Sequence, residues 1–248
     1  MKGKEQQAIA ELDQELVRIK EEYRKRDAGA VPPDRYSLFN ASALLHAQSL
    51  ERQVLSSLKR HRFYPLAEKK ILDVGCGSGG ALQNFLRYGA TAANLYGIDL
   101  AEHRVERARS INPAMHWFVG SAHQLPCEDA SFDLVTSSVL FSSILSAPLR
   151  QKIADEMWRV LKPGGLILLH DFVYANPRNP AVQAITRQQI RQLFGRPGVA
   201  FDFRSMTLAP PLARLIAPRA YWLAFTLEQL KVLNTHIICT IRLNQEGV

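Results

Sequence analysis

The run Ile71-Leu72-Asp73-Val74-Gly75-Cys76-Gly77-Ser78-Gly79-Gly80 limits what this chain can fold into more than any other stretch. Residues of strand character break into glycines, and a helical pattern opens directly behind them. Glycines at such a junction let the backbone turn tightly and come close to a ligand, while the helix N-terminus presents unpaired amides. Gly75, Gly77 and Gly80 also satisfy GxGxxG, a spacing that NAD and FAD enzymes share. The spacing alone therefore indicates a nucleotide-like ligand without choosing one.

Around this run, short apolar strands alternate with helices, which predicts a mainly parallel sheet covered on both faces. Strands are expected near 70–74, 94–98, 115–119, 132–137 and 165–171, with helices near 79–88, 102–110 and 148–161. Pro163-Gly164-Gly165 reads as a helix stop and tight turn into the fifth strand. Beyond it are expected a helix near 181–194, a strand near 199–208, a Pro-bounded helical insert at 210–231 and a last strand near 234–242. The fold class is thus α/β: a Rossmann-like doubly wound sheet of seven strands, with N-terminal helices and a helical insert between the last two strands. Upstream, Ile9, Leu12, Leu16, Ile19 and Tyr23 form one stripe of an amphipathic helix, which can pack on its own domain or pair with a second copy in a homodimer. Gly29 and Pro32-Pro33 end it, and Asn40 reads as the N-cap of a helix over 41–58. Residues 1–64 then form a helical lid or cap, and 65–248 the main domain, with a ligand-binding core at 65–175 and an acceptor-side part at 176–248.

Asp73 narrows the ligand. A carboxylate two residues before the first glycine would repel a pyrophosphate but welcome an ammonium group, such as the one on the methionine end of S-adenosylmethionine. Asp99, closing Gly97-Ile98-Asp99-Leu100 about twenty residues on, can accept both ribose hydroxyls, a feature adenosylmethionine shares with NAD.

The ordered set DVGCGSG, GID, GSAHQLPCEDASFDLV and VLKPGGLILL resembles the class I methyltransferases, most closely the broad bacterial type 11 group, over about residues 65–175. The resemblance implies S-adenosyl-L-methionine as cofactor and S-adenosyl-L-homocysteine as product. It further implies that Asp73, Gly75 and Gly77, with Cys76 between them, hold the methionine part, and that Asp99 holds the ribose. Leu100 would pack on the adenine, Ser121 and Ala122 would lie at its edge, and Ser137 and Ser138 would line the pocket near the sulfonium. Where such enzymes often read Gly-Asp-Ala, this chain reads Gly120-Ser121-Ala122, so a hydroxyl replaces the acid and the neighbouring His123 can substitute. Segments outside the core, including Arg35 to Asn40, His170-Asp171-Phe172, Asn176 to Pro180 and Asn234-Thr235-His236, look like a bacterial subgroup of the same type. In related folds an N-terminal tyrosine closes over the cofactor carboxylate, which makes Tyr36 a further binding candidate.

Methyl transfer is an in-line displacement, so alignment and, for a hydroxyl acceptor, proton removal are the tasks left to the protein. His170 and Asp171 follow the fifth strand at the edge where ligands of open α/β sheets bind, and are the general-base candidates; loop anchoring is the other use of either residue. His46 and His103 are weaker choices. Thr136-Ser137-Ser138-Val139 follows the fourth strand in place of Asn-Pro-Pro-Tyr, which disfavours amino-methylation of nucleic acids. No Cys/His spacing suits a metal, and three cysteines argue against a disulfide framework, as expected of a cytoplasmic protein. No apolar run is long enough for a transmembrane helix. Residues 71–175 carry eight basic and ten acidic groups, whereas 31–70 carry seven and three, and 176–248 nine and three. Basic flanks beside an acidic core suggest an anionic partner: a small-molecule, glycan or lipid-linked acceptor, with RNA as the alternative. A nucleoside-cofactor-binding protein without catalysis is the third reading.

Overall fold

The computed structural model describes residues 2–30, 32, 34–174 and 179–243. Two long helices lead, α1 (Lys2–Lys25) and α2 (Ala41–Arg60), and Asn40 caps α2 by accepting from the Ser42 amide at 3.0 Å. The body then runs β1 (Ile71–Val74), α3 (Gly80–Arg87), β2 (Leu95–Asp99), α4 (Glu102–Ile111), β3 (His116–Val119), β4 (Phe132–Ser138), α5 (Ala147–Val160) and β5 (Leu161–Phe172). It closes with α6 (Arg187–Phe194), β6 (Val199–Leu208), α7 (Pro210–Ile216), α8 (Tyr221–Gln229) and β7 (Asn234–Leu243).

The seven strands form one sheet in the order β3-β2-β1-β4-β5-β7-β6. Pairs among β1 to β5 are parallel, while β7 runs antiparallel to both β5 and β6. The carboxyl ends of β1, β2, β4, β5 and β6 therefore share one edge with the start of β7, and α7 and α8 sit at that same edge. β1 is buried throughout, as a strand covered on both faces must be. Its alternation splits it between two layers. Leu72 and Val74 pack with α1, α5 and α6, whereas Ile71 packs with α2, α3 and α4. A third cluster joins Leu45 of α2 to Leu208 and to Ala213, Ala217 and Ala224 of the insert.

Two expectations need correction. The helix placed near 181–194 begins only at Arg187, because Thr186 and Gln189 form a reciprocal capping box that fixes its start. The Pro163-Gly164-Gly165 turn lies inside the hydrogen-bonded span of β5, where Phe132 pairs with Leu161 but Leu134 with Leu166, so it is an irregularity within the strand pairing. Of the two uses open to the α1 stripe, packing on its own domain is the one seen: Ile19 is buried, and Leu12, Leu16 and Tyr23 pack on the main core. The Ile9 side chain and residues Pro33 and Asn176-Pro177-Arg178 lie outside what the structure describes.

Candidate active site

The glycine turn is pinned from both sides. Past Val74 the chain bends through Gly75 at φ 77°, and the amides of Gly75 and Cys76 both donate to the Ile98 carbonyl, at 2.8 and 3.0 Å. Gly79, at φ 83°, has no room for a side chain, since a Cβ there would collide with the Trp117 ring. Gly80, the third glycine of the GxGxxG spacing, has open space instead. The close-packed glycine is thus one residue earlier than that spacing suggests.

Two carboxylates face this turn in opposite conditions. Asp99 accepts from the Gly77 amide through Oδ2 and from the Ala101 amide through Oδ1, both at 2.8 Å, and keeps lone pairs for a ligand. Asp73 is buried, and its Oδ1 has no hydrogen-bond partner. Burial, with the Asp99 charge beside it, pushes the Asp73 carboxyl up to about 7. A buried carboxylate lacking a donor is completed by a cationic group, so the site fits the ammonium of adenosylmethionine.

Above the turn opens a cleft that, with the open space at its mouth, spans about 540 Å³. Gly75, Asp99, Leu100, Ser121, Ala122 and Ser138 line it, and Leu16, Ile19 and Tyr23 of α1 form the facing wall. Several bonds hold α1 there. Arg18 donates to the Ser143 carbonyl at 2.7 Å, and Glu15, ion-paired with Arg18 at 2.7 Å, accepts from the Leu145 and Ser146 amides at 2.5 and 3.3 Å. Farther along, Asp27 binds Arg104 at 2.6 and 2.7 Å and His103 at 2.6 Å. Sequence reasoning expected a helical lid over 1–64 but did not single out Leu16, Ile19 and Tyr23 as lining residues. The apolar stripe of α1 was visible, but a stripe does not say which surface it covers.

Other predicted residues stand elsewhere. Tyr36 is 77% exposed and is not among the residues lining the cleft. Cys76 turns its side chain into the core beside Trp117, and burial raises its thiol far above the usual range. Ser137 is buried in the sheet, and His123 stands behind the lining, with its Nδ1 2.6 Å from the Ser121 hydroxyl. Gly77 meets the site through its backbone.

The general-base candidates separate. Asp171 accepts from the Ser142 and Phe172 amides, at 3.1 and 2.9 Å, and so anchors the turn over residues 141–143. Burial lifts its carboxyl to about 6. His170 holds Ser138, a cleft residue, at 2.8 Å through Nδ1, while its Nε2 is buried without a partner. Its ring lies 5.7 Å from that of His46 and 5.6 Å from that of His236, which are 5.3 Å from each other. Burial, and then repulsion from His46 and His236, depresses the His170 imidazole well below its ordinary range; burial brings His236 down to about 3. These rings are neutral at pH 7. Among the described residues no group of three or more His, Cys, Asp or Glu side chains is arranged to hold a metal ion.

Residues 71–165 match a family model described as a methyltransferase domain. A 24-methylenesterol C-methyltransferase of Oryza sativa subsp. japonica is 34% identical over 110 residues, covering 42% of this chain and 29% of the relative. A ubiquinone/menaquinone biosynthesis C-methyltransferase of Dinoroseobacter shibae is 28% identical over 158 residues, covering 61% of this chain and 55% of the relative. The chain thus spans less than a third of the first relative's length and about half of the second's. In fold it is similar to the geranyl diphosphate C-methyltransferase of Streptomyces coelicolor A3(2), a structure that contains S-adenosyl-L-homocysteine, with a TM-score of 0.59 at 15% identity over 87% of this chain and 88% of that one. Strand order and glycine turn agree with the family model matched over residues 71–165, so that stretch is a class I S-adenosylmethionine-dependent methyltransferase domain.

Proposed function

We propose that the protein transfers the methyl group of S-adenosylmethionine to a phenolic or enolic hydroxyl of a small, lipid-linked or glycan-linked acceptor carrying negative charge. The observation that carries this reading is the contact between Ser138, which lines the cleft, and His170, whose Nε2 is buried and free. When bound, the cofactor supplies an electrophilic methyl on a sulfonium. Asp73 would hold its ammonium group and Asp99 its ribose, while the α1 wall excludes water. His170, kept neutral by burial, can take a proton from the acceptor. Asp171 acts as a positioning residue that holds the 141–143 turn.

The named activities of the sterol and quinone relatives supply a second reading, in which a carbon of the same acceptor ring is methylated after the same proton is removed. Calorimetry tests the cofactor half: Asp99→Ala should weaken adenosylmethionine binding by roughly 1.5–3 kcal/mol, the scale of charged hydrogen bonds. A labelled-methyl assay with phenolic acceptors tests the rest, and NMR of the product separates oxygen from carbon. His170→Ala should lower kcat about 10²- to 10⁴-fold with cofactor affinity unchanged. If the folded variant keeps full turnover, His170 is not the base.

A further inference from the structure

The insert between β6 and β7 has an outward face unlike that of an ordinary surface helix. Leu215, Trp222, Phe225, Leu230, Val232 and Leu233 are all exposed, Trp222 to 70% and Val232 to 81%. A helix covering a sheet normally buries its apolar side and turns polar groups to water. Here α8 buries Ala224 and Glu228 while Trp222 and Phe225 face out. Clustered exposed side chains of this size mark an interaction surface.

The charges indicate the partner. Arg214, Arg219 and Lys231 are exposed on this insert, and Lys231 sits at the tip of the turn between Leu230 and Val232. The insert's single acid, Glu228, is buried and ion-paired to Arg52 of α2 at 2.8 Å. Outwardly the face is therefore apolar and cationic, with no exposed acid of its own. The turn leading into α2 adds to it. Tyr36, Leu38 and Phe39 are 77%, 61% and 103% exposed, and Ala41, two residues on, packs in the same cluster as Leu212, Ile216 and Tyr221 of the insert.

We propose that this face docks the protein on an anionic lipid bilayer, with the aromatic and aliphatic side chains entering the headgroup boundary and the arginines and lysine meeting lipid phosphates. Tryptophan suits that boundary because its ring is apolar and its N–H polar, and cations beside an apolar face add attraction to anionic lipid. Binding of this kind does not depend on methyl transfer. Its consequence for substrate does rest on that reading: the insert stands at the carboxyl edge of the sheet, beside the His46, His170 and His236 cluster, so an acceptor dissolved in the bilayer would enter from the docked side.

Flotation of the full chain tests this with vesicles of phosphatidylcholine alone and of phosphatidylcholine mixed with phosphatidylglycerol. The mixed vesicles should bind at least about tenfold more tightly. Trp222→Ala with Val232→Asp should lower that binding at least about tenfold, and Arg214→Gln with Lys231→Gln should remove the preference for anionic lipid. All four side chains are exposed, so melting temperature and adenosylmethionine affinity should stay at their parent values. Absence of binding to either vesicle, or binding indifferent to these substitutions, overturns the proposal. So does self-association that Trp222→Ala abolishes without any vesicle binding, which would give the face to a second copy. A chain that floats with vesicles yet fails to bind adenosylmethionine supports the docking and removes the methyl-transfer reading instead.

Discussion

Asp73 and Asp99 are the same residue type at the same sheet edge, and their surroundings give them different work. Asp99 is satisfied by two backbone amides, so it shapes the glycine turn whether or not a ligand is bound. Asp73 has an unpartnered oxygen and a carboxyl raised to about 7 from an ordinary 3.8. Folded, it binds its proton more tightly than unfolded. Its contribution to stability is thus present below pH 3.8 and lost as pH rises through about 7. An ammonium ligand favours the ionised form, so adenosylmethionine should displace that proton. Calorimetry in buffers of different ionisation heat should register proton release near neutral pH, and affinity should weaken by up to about tenfold per unit as pH falls below 7. Asp73→Asn should abolish both effects. Binding without proton release would remove the ammonium contact from Asp73. Neither carboxyl's state could be read from sequence, where spacing placed both at the ligand but could not count the donors around them.

At the scale of elements, α1 is the part whose role changed most. Its periodicity announced a buried face, and the alternation of residues 70–171 announced the sheet, because both patterns are local. The partner of that face depends on contacts across more than a hundred positions, such as Arg18 with Ser143, and no local pattern encodes those. Tyr36 stands exposed outside the cleft lining, and Tyr23 of α1 is the tyrosine in the wall. The far end of α1 hangs on Asp27, whose carboxyl is held down at about 2, first by Arg104 and then by His103, against the opposing effect of burial. That contribution is present above pH 3.8 and lost as pH falls toward 2. Because the pair is part-exposed, Asp27→Asn should speed hydrogen exchange in α1 and release of adenosylhomocysteine only about two- to fivefold. The melting temperature should hardly move. Unchanged exchange in the variant would mean that Glu15 and Arg18 hold the helix without it.

Over the whole molecule, charge is segregated where secondary structure is not: the sheet core is slightly acidic and both flanks are basic. An anionic acceptor should meet this protein faster than a neutral one, and the advantage should shrink as salt is added. Steady-state kinetics at rising ionic strength should therefore raise KM for the acceptor while cofactor affinity holds. A KM indifferent to salt would return the flanks to ordinary solvation. The insert that carries part of this charge enters and leaves the fold at neighbouring points: Leu208 pairs with Asn234, and the Ala209 amide donates to the Leu233 carbonyl at 2.8 Å. Antiparallel ends this close need only a short turn to join them. Everything between them is thus a cassette whose tie to the rest of the fold is α2, through Leu45 and the Arg52–Glu228 pair, so a hairpin in its place would bare that face of α2 while leaving the glycine turn as it is.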